Sequence, residues 1–301
     1  MTDIVIIGGG PAGLTAAIYA ARAGKNVVVC ESESMGGQIT QAHKVNNYPA
    51  IGEISGIELG DKLCAHAMDC GAEIQFTHVE KITKLDDGTF EIITDDGALQ
   101  ARALIFAGGA RPRPLSIPRE AELTGSGISY CALCDGAFFK GKNVAVVGGG
   151  NSAFDDALFL SDVCNQVTLI HRRDEFRAEK ALVDAAASAT NIRFITGATV
   201  EAIEGQTMLE AVRLNTDKGP ETITVSGLFV ALGRTPNCQL ISELADLDSY
   251  GYAISDENCK TKTPGLFVAG DCRTKPIRQL TTATADGTVA ATHACAYLDT
   301  L

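Results

Sequence analysis

The chain lacks any excess of basic residues to offer a polyanion: 25 Lys and Arg stand against 37 Asp and Glu, for a net charge of −12. Nucleic-acid binding needs a basic face, and a polybasic membrane contact needs clustered Lys and Arg, so neither partner is expected. No apolar run approaches the ~18 residues that cross a bilayer. The N-terminus has no positively charged lead-in and no small-residue cleavage site before the apolar run Ile4 to Ile7. A secretory signal is therefore not expected, and the expected compartment is the cytoplasm. Low-complexity segments are missing too. With 46% hydrophobic residues over 301 positions, the chain has enough apolar material for roughly two domains of ~150 residues each.

A further absence concerns cysteine patterning. The chain has ten cysteines, but only Cys131 and Cys134 form a C-x-x-C. No second C-x-x-C and no nearby Cys/His pair completes a four-ligand zinc set, so no metal is expected. Cys30, Cys64, Cys70, Cys164, Cys238, Cys259, Cys272 and Cys295 stand alone and read as small buried hydrophobes. In a reducing compartment the Cys131/Cys134 pair reads as redox chemistry. A zinc site, a structural disulfide and two inert thiols are the weaker alternatives. The thiolate is the reactive form of such a pair. Asp135, directly after Cys134, is placed to handle a proton during exchange.

What the sequence does contain is one nucleotide-binding plan, twice. Asp3 to Ile7 is a β-branched strand, Gly8-Gly9-Gly10-Pro11-Ala12-Gly13 a turn, and Leu14 to Ala23 an Ala-rich helix closed by Gly24. Val27-Val28-Val29 is the next strand, ending at Glu31. The plan returns as strand Asn143 to Val147, turn Gly148-Gly149-Gly150-Asn151-Ser152-Ala153, a helix to about Ser161, and strand Gln166 to Ile170, ending at His171-Arg172-Arg173. Gly8 and Glu31 lie 23 positions apart, and so do Gly148 and His171, a match that two unrelated glycine loops would rarely produce.

Each half also has turn signals that predict a small β-meander: Asp86-Asp87-Gly88 and Asp95-Asp96-Gly97 in the first, Asp217-Lys218-Gly219-Pro220 in the second. Returning strands follow at Ala103 to Ala107 and Gly227 to Ala231. Leu266 to Asp271 reads as a strand with a Gly-Asp turn, and Thr281 to Tyr297 as a long Ala/Thr-rich helix. This last segment has no β-α-β unit of its own, so it must complete an earlier domain. The expected fold is α/β, with two Rossmann-like dinucleotide-binding domains, the second inserted into the first. Residues 1–113 and 242–301 form one domain and 114–241 the other.

In such units the first glycine makes the tight turn, the second lets a pyrophosphate approach the backbone, and the third allows close helix–strand packing. Gly8, Gly10 and Gly13 have the required strand–turn–helix context. A carboxylate at Glu31 accepts from ribose hydroxyls, which suits FAD or NAD. The matching place in the second unit holds His171-Arg172-Arg173, with Arg177 one turn later. Guanidinium groups suit a 2′-phosphate, so NADPH is expected there. Two such sites in one chain suggest hydride passing from NADPH to FAD.

With these residues in place the chain resembles the low-molecular-weight thioredoxin reductases over essentially its whole length. The resemblance rests on Gly8 to Gly13, Gly36-Gly37-Gln38, Asn47-Tyr48-Pro49, Cys131-Ala132-Leu133-Cys134-Asp135-Gly136, Gly148 to Ala153, His171 to Ala178, Ala269-Gly270-Asp271 and Arg278-Gln279. It implies FAD on the first domain, at Gly8, Gly10, Pro11, Ala12, Gly13, Glu31, Gly37, Gln38 and Asn47, with Asp271, Arg278 and Gln279 closing around it. It implies NADPH on the inserted domain, at Gly148, Gly150, Asn151, Ser152, Ala153, His171, Arg172, Arg173 and Arg177. Cys134 would be the sulfur nearer the flavin, Cys131 the one that attacks a thioredoxin-like protein disulfide, and Asp135 the general acid. The resemblance also implies a homodimer and an inserted domain that rotates at the crossings near Arg113 and Ile241.

Four positions in three places depart from the family pattern. Gly125-Ser126-Gly127 replaces Gly-Arg-Gly before the redox pair, which leaves partner choice open. Ala50 follows Asn47-Tyr48-Pro49 where Gly is usual, and Asp155-Asp156 stands for Glu-Glu. The competing functions are a ferredoxin-dependent thioredoxin reductase or small-dithiol oxidase of the same fold, and a non-catalytic flavin sensor.

Overall fold

The structure, a computed structural model, describes every residue except His43. The chain divides into two compact units: Met1–Arg111 with Thr235–Leu301, and Pro112–Arg234. The first crossing lies two residues before Arg113. The second lies between Arg234 and Thr235, seven residues before the expected Ile241. The reason is packing: Cys238 and Ile241 are fully buried in a core cluster of the first unit, so the chain has already returned there.

In the first unit β1 (Thr2–Ile7), α1 (Pro11–Arg22) and β2 (Val27–Glu31) form the expected β-α-β. They are followed by α2 (Gly56–Asp69), β3 (Glu73–Phe76), β4 (Val79–Lys84), β5 (Phe90–Thr94) and β6 (Gly97–Phe106). The sheet order is β3-β2-β1-β6-β5-β4. The meander and the returning strand are not separate elements here. The start of β6 pairs antiparallel with β5 (Ala98 opposite Ile93), and its end pairs parallel with β1 (Phe106 opposite Ile7). One ten-residue strand serves both.

The strand β7 (Ala110–Pro112) carries the first crossing. The second unit contains α3 (Glu120–Leu123), β8 (Ile128–Ser129), α4 (Ala132–Asp135), β9 (Asn143–Val147), α5 (Asn151–Ser161), β10 (Gln166–Ile170), α6 (Lys180–Ser188) and β11 (Ile192–Ile195). β12 (Ala198–Glu204), β13 (Ala211–Thr216), β14 (Gly219–Thr224) and β15 (Gly227–Val230) complete it. Its parallel sheet runs β11-β10-β9-β15-β8, and here the meander β12-β13-β14 is a sheet of its own. The chain returns along β16 (Arg234–Pro236), which pairs with β7, so the two crossings are hydrogen-bonded to each other.

β17 (Leu266–Val268) then joins β6 in parallel, and α7 (Leu280–Leu298) lies on α1. The C-terminal segment therefore completes the first unit. α7 approaches closely because it is made of small residues. A Cβ on Gly287 would stand 2.2 Å from the carbonyl oxygen of Ala12. α1 is thus held between sheet and helix, with Leu14, Ala16 and Ala17 fully buried. Leu14→Ala here would cost about 2–5 kcal/mol, because the rigid surroundings cannot close the gap.

Candidate active site

In the first unit, the glycine turn is built by close backbone approaches at the carboxyl ends of the strands. Gly8 has φ +107°, and a Cβ there would lie 2.4 Å from Ala107 O. One on Gly13 would lie 1.9 Å from Gly8 O. These two must be glycine for internal reasons. Gly10 is different: its φ of −76° suits any residue, and a Cβ there would meet only Gly36 O, at 4.0 Å. The space it leaves is a cradle at the amino end of α1, where no side chain caps the helix and Pro11 begins it.

Glu31 ends β2, and its Oε2 accepts from Gly9 N at 2.7 Å while Oε1 accepts from Glu33 N at 2.8 Å. The Gly36-Gly37-Gln38 turn is fastened here by Gly36 N donating to Gly9 O at 2.8 Å, and a Cβ on Gly37 would lie 3.1 Å from Gly10 Cα. From the C-terminal segment, Gly270 (φ +84°) faces Ala12 Cβ, which sets Asp271 by the start of α1. Asn47 Nδ2 donates to Gln279 Oε1 at 3.4 Å. Arg278 stacks over Tyr252 at 3.9 Å and donates to the carbonyl oxygens of Asp271 and Arg273. Gly8 to Gly13, Glu31, Gly37 and Asp271 are therefore brought together at one helix end, and Arg278 is tied to them through Asp271 O.

One network here escaped the sequence reading. Asp286, buried within α7, accepts from Gly270 N at 3.0 Å, from Arg273 Nη1 at 2.9 Å and from Lys275 Nζ at 2.9 Å. Arg273 also donates to Ser255 Oγ and Asp256 O. The charges are buried but paired and hydrogen-bonded, which is the condition under which such groups persist. The available signal was an isolated acid in an otherwise Ala/Thr-rich helix, directly before Gly287.

In the second unit, Cβ atoms on Gly148 and Gly149 would collide, with Ala231 O at 2.6 Å and the His171 ring at 2.2 Å respectively. Gly150, with φ −107° and no described atom within 4 Å of a Cβ, again leaves open space at an uncapped helix start, beside Asn151, Ser152 and Ala153. His171 is buried against Gly149 and Phe176, and its Nε2 lies 3.2 Å from Glu175 O. Burial first, and then Arg172, Arg177 and Arg173, push its pKa down, which favours the neutral ring. The loop that follows is clamped to the glycine turn. Arg177 N donates to Gly149 O at 2.8 Å, and Asn151 and Glu179 exchange hydrogen bonds at 2.9 and 3.0 Å. Arg172, Arg173 and Arg177 themselves are exposed.

Cys131 and Cys134 form a disulfide in the half-buried start of α4. Cys131 caps that helix, its Sγ accepting from Cys134 N at 3.2 Å. Asp135 N donates to Cys131 O at 3.1 Å. Ser129, buried at the end of β8, donates from Oγ to Asp135 Oδ2 at 2.6 Å and accepts from Cys131 N at 3.0 Å. Next to it, the Tyr130 hydroxyl donates to the buried Glu120 at 2.7 Å. Glu120 also accepts from Leu115 N and Ser116 N. Burial, and then Glu120, push the Tyr130 phenol up, so it stays protonated. No helix among the described residues is long and apolar enough to cross a membrane.

Both open glycines fit a dinucleotide: each gives backbone access to an uncapped helix start, where a pyrophosphate is favoured. Comparisons with known proteins agree. Residues 2–287 match the family model described as pyridine nucleotide-disulphide oxidoreductase. The chain is 44% identical over 299 residues to a "34.2 kDa protein in rubredoxin operon" of Clostridium pasteurianum, covering 98% of this chain and 97% of that one. It is 41% identical over 302 residues to a thioredoxin reductase of Treponema pallidum, covering 99% and 98%. The crystal structure of thioredoxin reductase from Streptococcus pyogenes superposes with a TM-score of 0.96 at 37% identity, covering 100% and 99%.

Proposed function

The chain belongs to the pyridine nucleotide-disulphide oxidoreductase family, and from that premise we propose that it acts as a thioredoxin-disulfide reductase. Electrons would pass from NADPH through FAD and the Cys131–Cys134 pair to the disulfide of a thioredoxin-like protein. The observation that carries this reading is the closed Cys131–Cys134 disulfide in a chain with two open glycine cradles. When bound, the two cofactors supply the hydride and its two-electron relay.

FAD would be held by the first unit, through Gly8, Gly10, Pro11, Ala12, Gly13, Glu31, Gly37, Gln38 and Asn47, with Asp271, Arg278 and Gln279 from the C-terminal segment. NADPH would be held by the second. Gly148, Gly150, Asn151, Ser152 and Ala153 would take the pyrophosphate, Arg172, Arg173 and Arg177 the 2′-phosphate, and the buried His171 packs against the turn at Gly149.

The remaining chemistry belongs to the chain's own residues. In the open form, Cys131 attacks the partner disulfide, and Cys134 N already donates to its sulfur, which stabilises the thiolate. Asp135 gives a proton to the partner's departing thiolate. Cys134 then attacks Cys131 and releases the second partner thiol, which closes the disulfide seen here. Ser126 stands where the family often has Arg, so partner choice is not set by a basic residue at that position. The protein works as a cytoplasmic homodimer, a reading supported by the family resemblance.

The ferredoxin-dependent and dithiol-oxidase readings are not favoured, because both the second glycine turn and its arginines are present. The test is steady-state NADPH oxidation by the purified flavoprotein with a thioredoxin and insulin disulfide as acceptor. Turnover that requires thioredoxin supports the assignment. Consumption of oxygen with a small dithiol, and none of NADPH with thioredoxin, would overturn it.

A further inference from the structure

The disulfide is flanked by a hydroxyl with two strong polar contacts. Ser129 is the last residue of β8, which pairs with β15 through Ser129 opposite Phe229, so its Cα is fixed by the sheet. The side chain is 4% exposed. Its Oγ accepts from the amide of Cys131 at 3.0 Å and donates to Asp135 Oδ2 at 2.6 Å, a short bond. One hydroxyl thus joins the backbone of the attacking cysteine to the Asp135 carboxyl.

We propose that Ser129 is a positioning residue: it holds the Asp135 carboxyl beside the dithiol and stabilises the carboxylate left when Asp135 gives up its proton. The inference rests on the role given to Asp135 in the proposed function. The Cys131 thiolate forms a bond to one partner sulfur and the partner S–S bond breaks. The electron pair leaves on the other partner sulfur, and that sulfur takes the proton from Asp135. The carboxylate so formed keeps the Ser129 O–H as a donor, and a hydrogen bond to the charged form favours it. Ser129 therefore assists the transfer without touching the partner.

Other titratable groups surround the site. Tyr130 and Glu120 form their own bonded pair on one side. α5, which packs on α4, carries Asp155 and Asp156, and burial first, then Asp155, raises Asp156 to about 7. β15 carries no titratable residue. A pH profile of the wild type alone would not separate Asp135 from Asp156, so variants of both Ser129 and Asp135 are needed.

The experiment measures kcat/KM for a thioredoxin disulfide between pH 5.5 and 9 for the wild type and for Ser129→Ala, Ser129→Thr and Asp135→Asn, all as flavin-loaded protein. Flavin reduction by NADPH serves as the check that each variant is folded. The expected result is that Asp135→Asn removes the alkaline limb. Ser129→Ala should move that limb up by about one pH unit and lower its plateau about three- to tenfold. Ser129→Thr, which keeps a hydroxyl and suits a strand, should restore both. If Asp135→Asn removes the limb but Ser129→Ala leaves it in place, the proposal is overturned and the role of Asp135 stands. If the limb survives in Asp135→Asn, the acid is another group, and both readings fall. If Ser129→Thr behaves as Ser129→Ala, the effect is one of packing and the proposal is overturned.

Discussion

A single methyl group added at Gly150 separates folding from nucleotide binding. The backbone there has φ −107° and ψ 178°, which alanine adopts freely, and the added Cβ meets no described atom within 4 Å. Gly150→Ala should therefore leave the free protein as stable as before, or stabilise it by roughly 0.4–1 kcal/mol, because the unfolded chain has fewer states to lose. The same methyl stands where a pyrophosphate must approach the start of α5. Displacing the phosphates by a methyl radius breaks one or two charge-assisted hydrogen bonds, each of about 1.5–3 kcal/mol. That is a loss of at least about tenfold in NADPH affinity. Gly148→Ala is the contrasting control. Its Cβ would lie 2.6 Å from Ala231 O, so it should destabilise the fold whether or not NADPH is present. The assay pairs a thermal melt of the flavin-loaded protein with an anaerobic titration by NADPH. A Gly150→Ala variant that melts early, or that binds NADPH like the wild type, would refute the reasoning that this glycine is kept for the ligand.

Replacing Arg172 and Arg173 together by Ala should weaken NADPH by about tenfold or more per arginine and leave NADH within a few-fold; an equal loss for both nucleotides in flavin-reduction rates would remove the 2′-phosphate role. Cys131→Ser should abolish disulfide turnover and leave flavin bleaching by NADPH intact, and surviving turnover would mean the attacking sulfur is misassigned. Asp286→Asn leaves Arg273 buried without its counter-charge and Lys275 with only Asp271, at 3.7 Å, which should cost about 3–5 kcal/mol and loosen the Gly270–Asp271 turn, read as a lowered melting temperature and flavin lost on gel filtration. Asp156, raised to about 7 by burial and Asp155, is protonated in the folded chain at pH values where the unfolded chain has already lost that proton. This carboxyl therefore withdraws stability as pH rises from about 4 to about 7. The melting temperature of Asp156→Asn should gain on the wild type across that range, at about 2–4 °C per kcal/mol, and parallel curves would show that the carboxyl is solvated.

Local pattern made much of this molecule legible. The glycine turns at Gly8 and Gly148 announce themselves because a strand, a turn and a helix must follow each other within a few residues. The charge at Glu31 and at Arg172-Arg173 is readable because Glu31 and His171, next to those arginines, lie at the same spacing from the two turns. The second crossing was harder to place. Cys238 to Ile241 looks like linker until it is seen buried in the first unit, and that burial depends on β6 and β17, far away in sequence. The fusion of meander and returning strand in β6 has the same origin: the register with β1 and with β5 is a tertiary choice. Ser129 and Asp286 stayed hidden for another reason. Serine on a short strand and aspartate on a helix are common on solvated faces. Only the packing of β8 against β15, and of α7 against α1, turns them inward, where a polar group must find partners.

The most direct test of the central claim is anaerobic stopped-flow absorbance of the yellow protein, mixed first with NADPH and with NADH, and then with oxidised thioredoxin. The expected result is rapid flavin bleaching by NADPH, far slower bleaching by NADH, and recovery of the flavin band when thioredoxin is added. No bleaching by either nucleotide, or a reduced flavin that thioredoxin does not reoxidise, would contradict it.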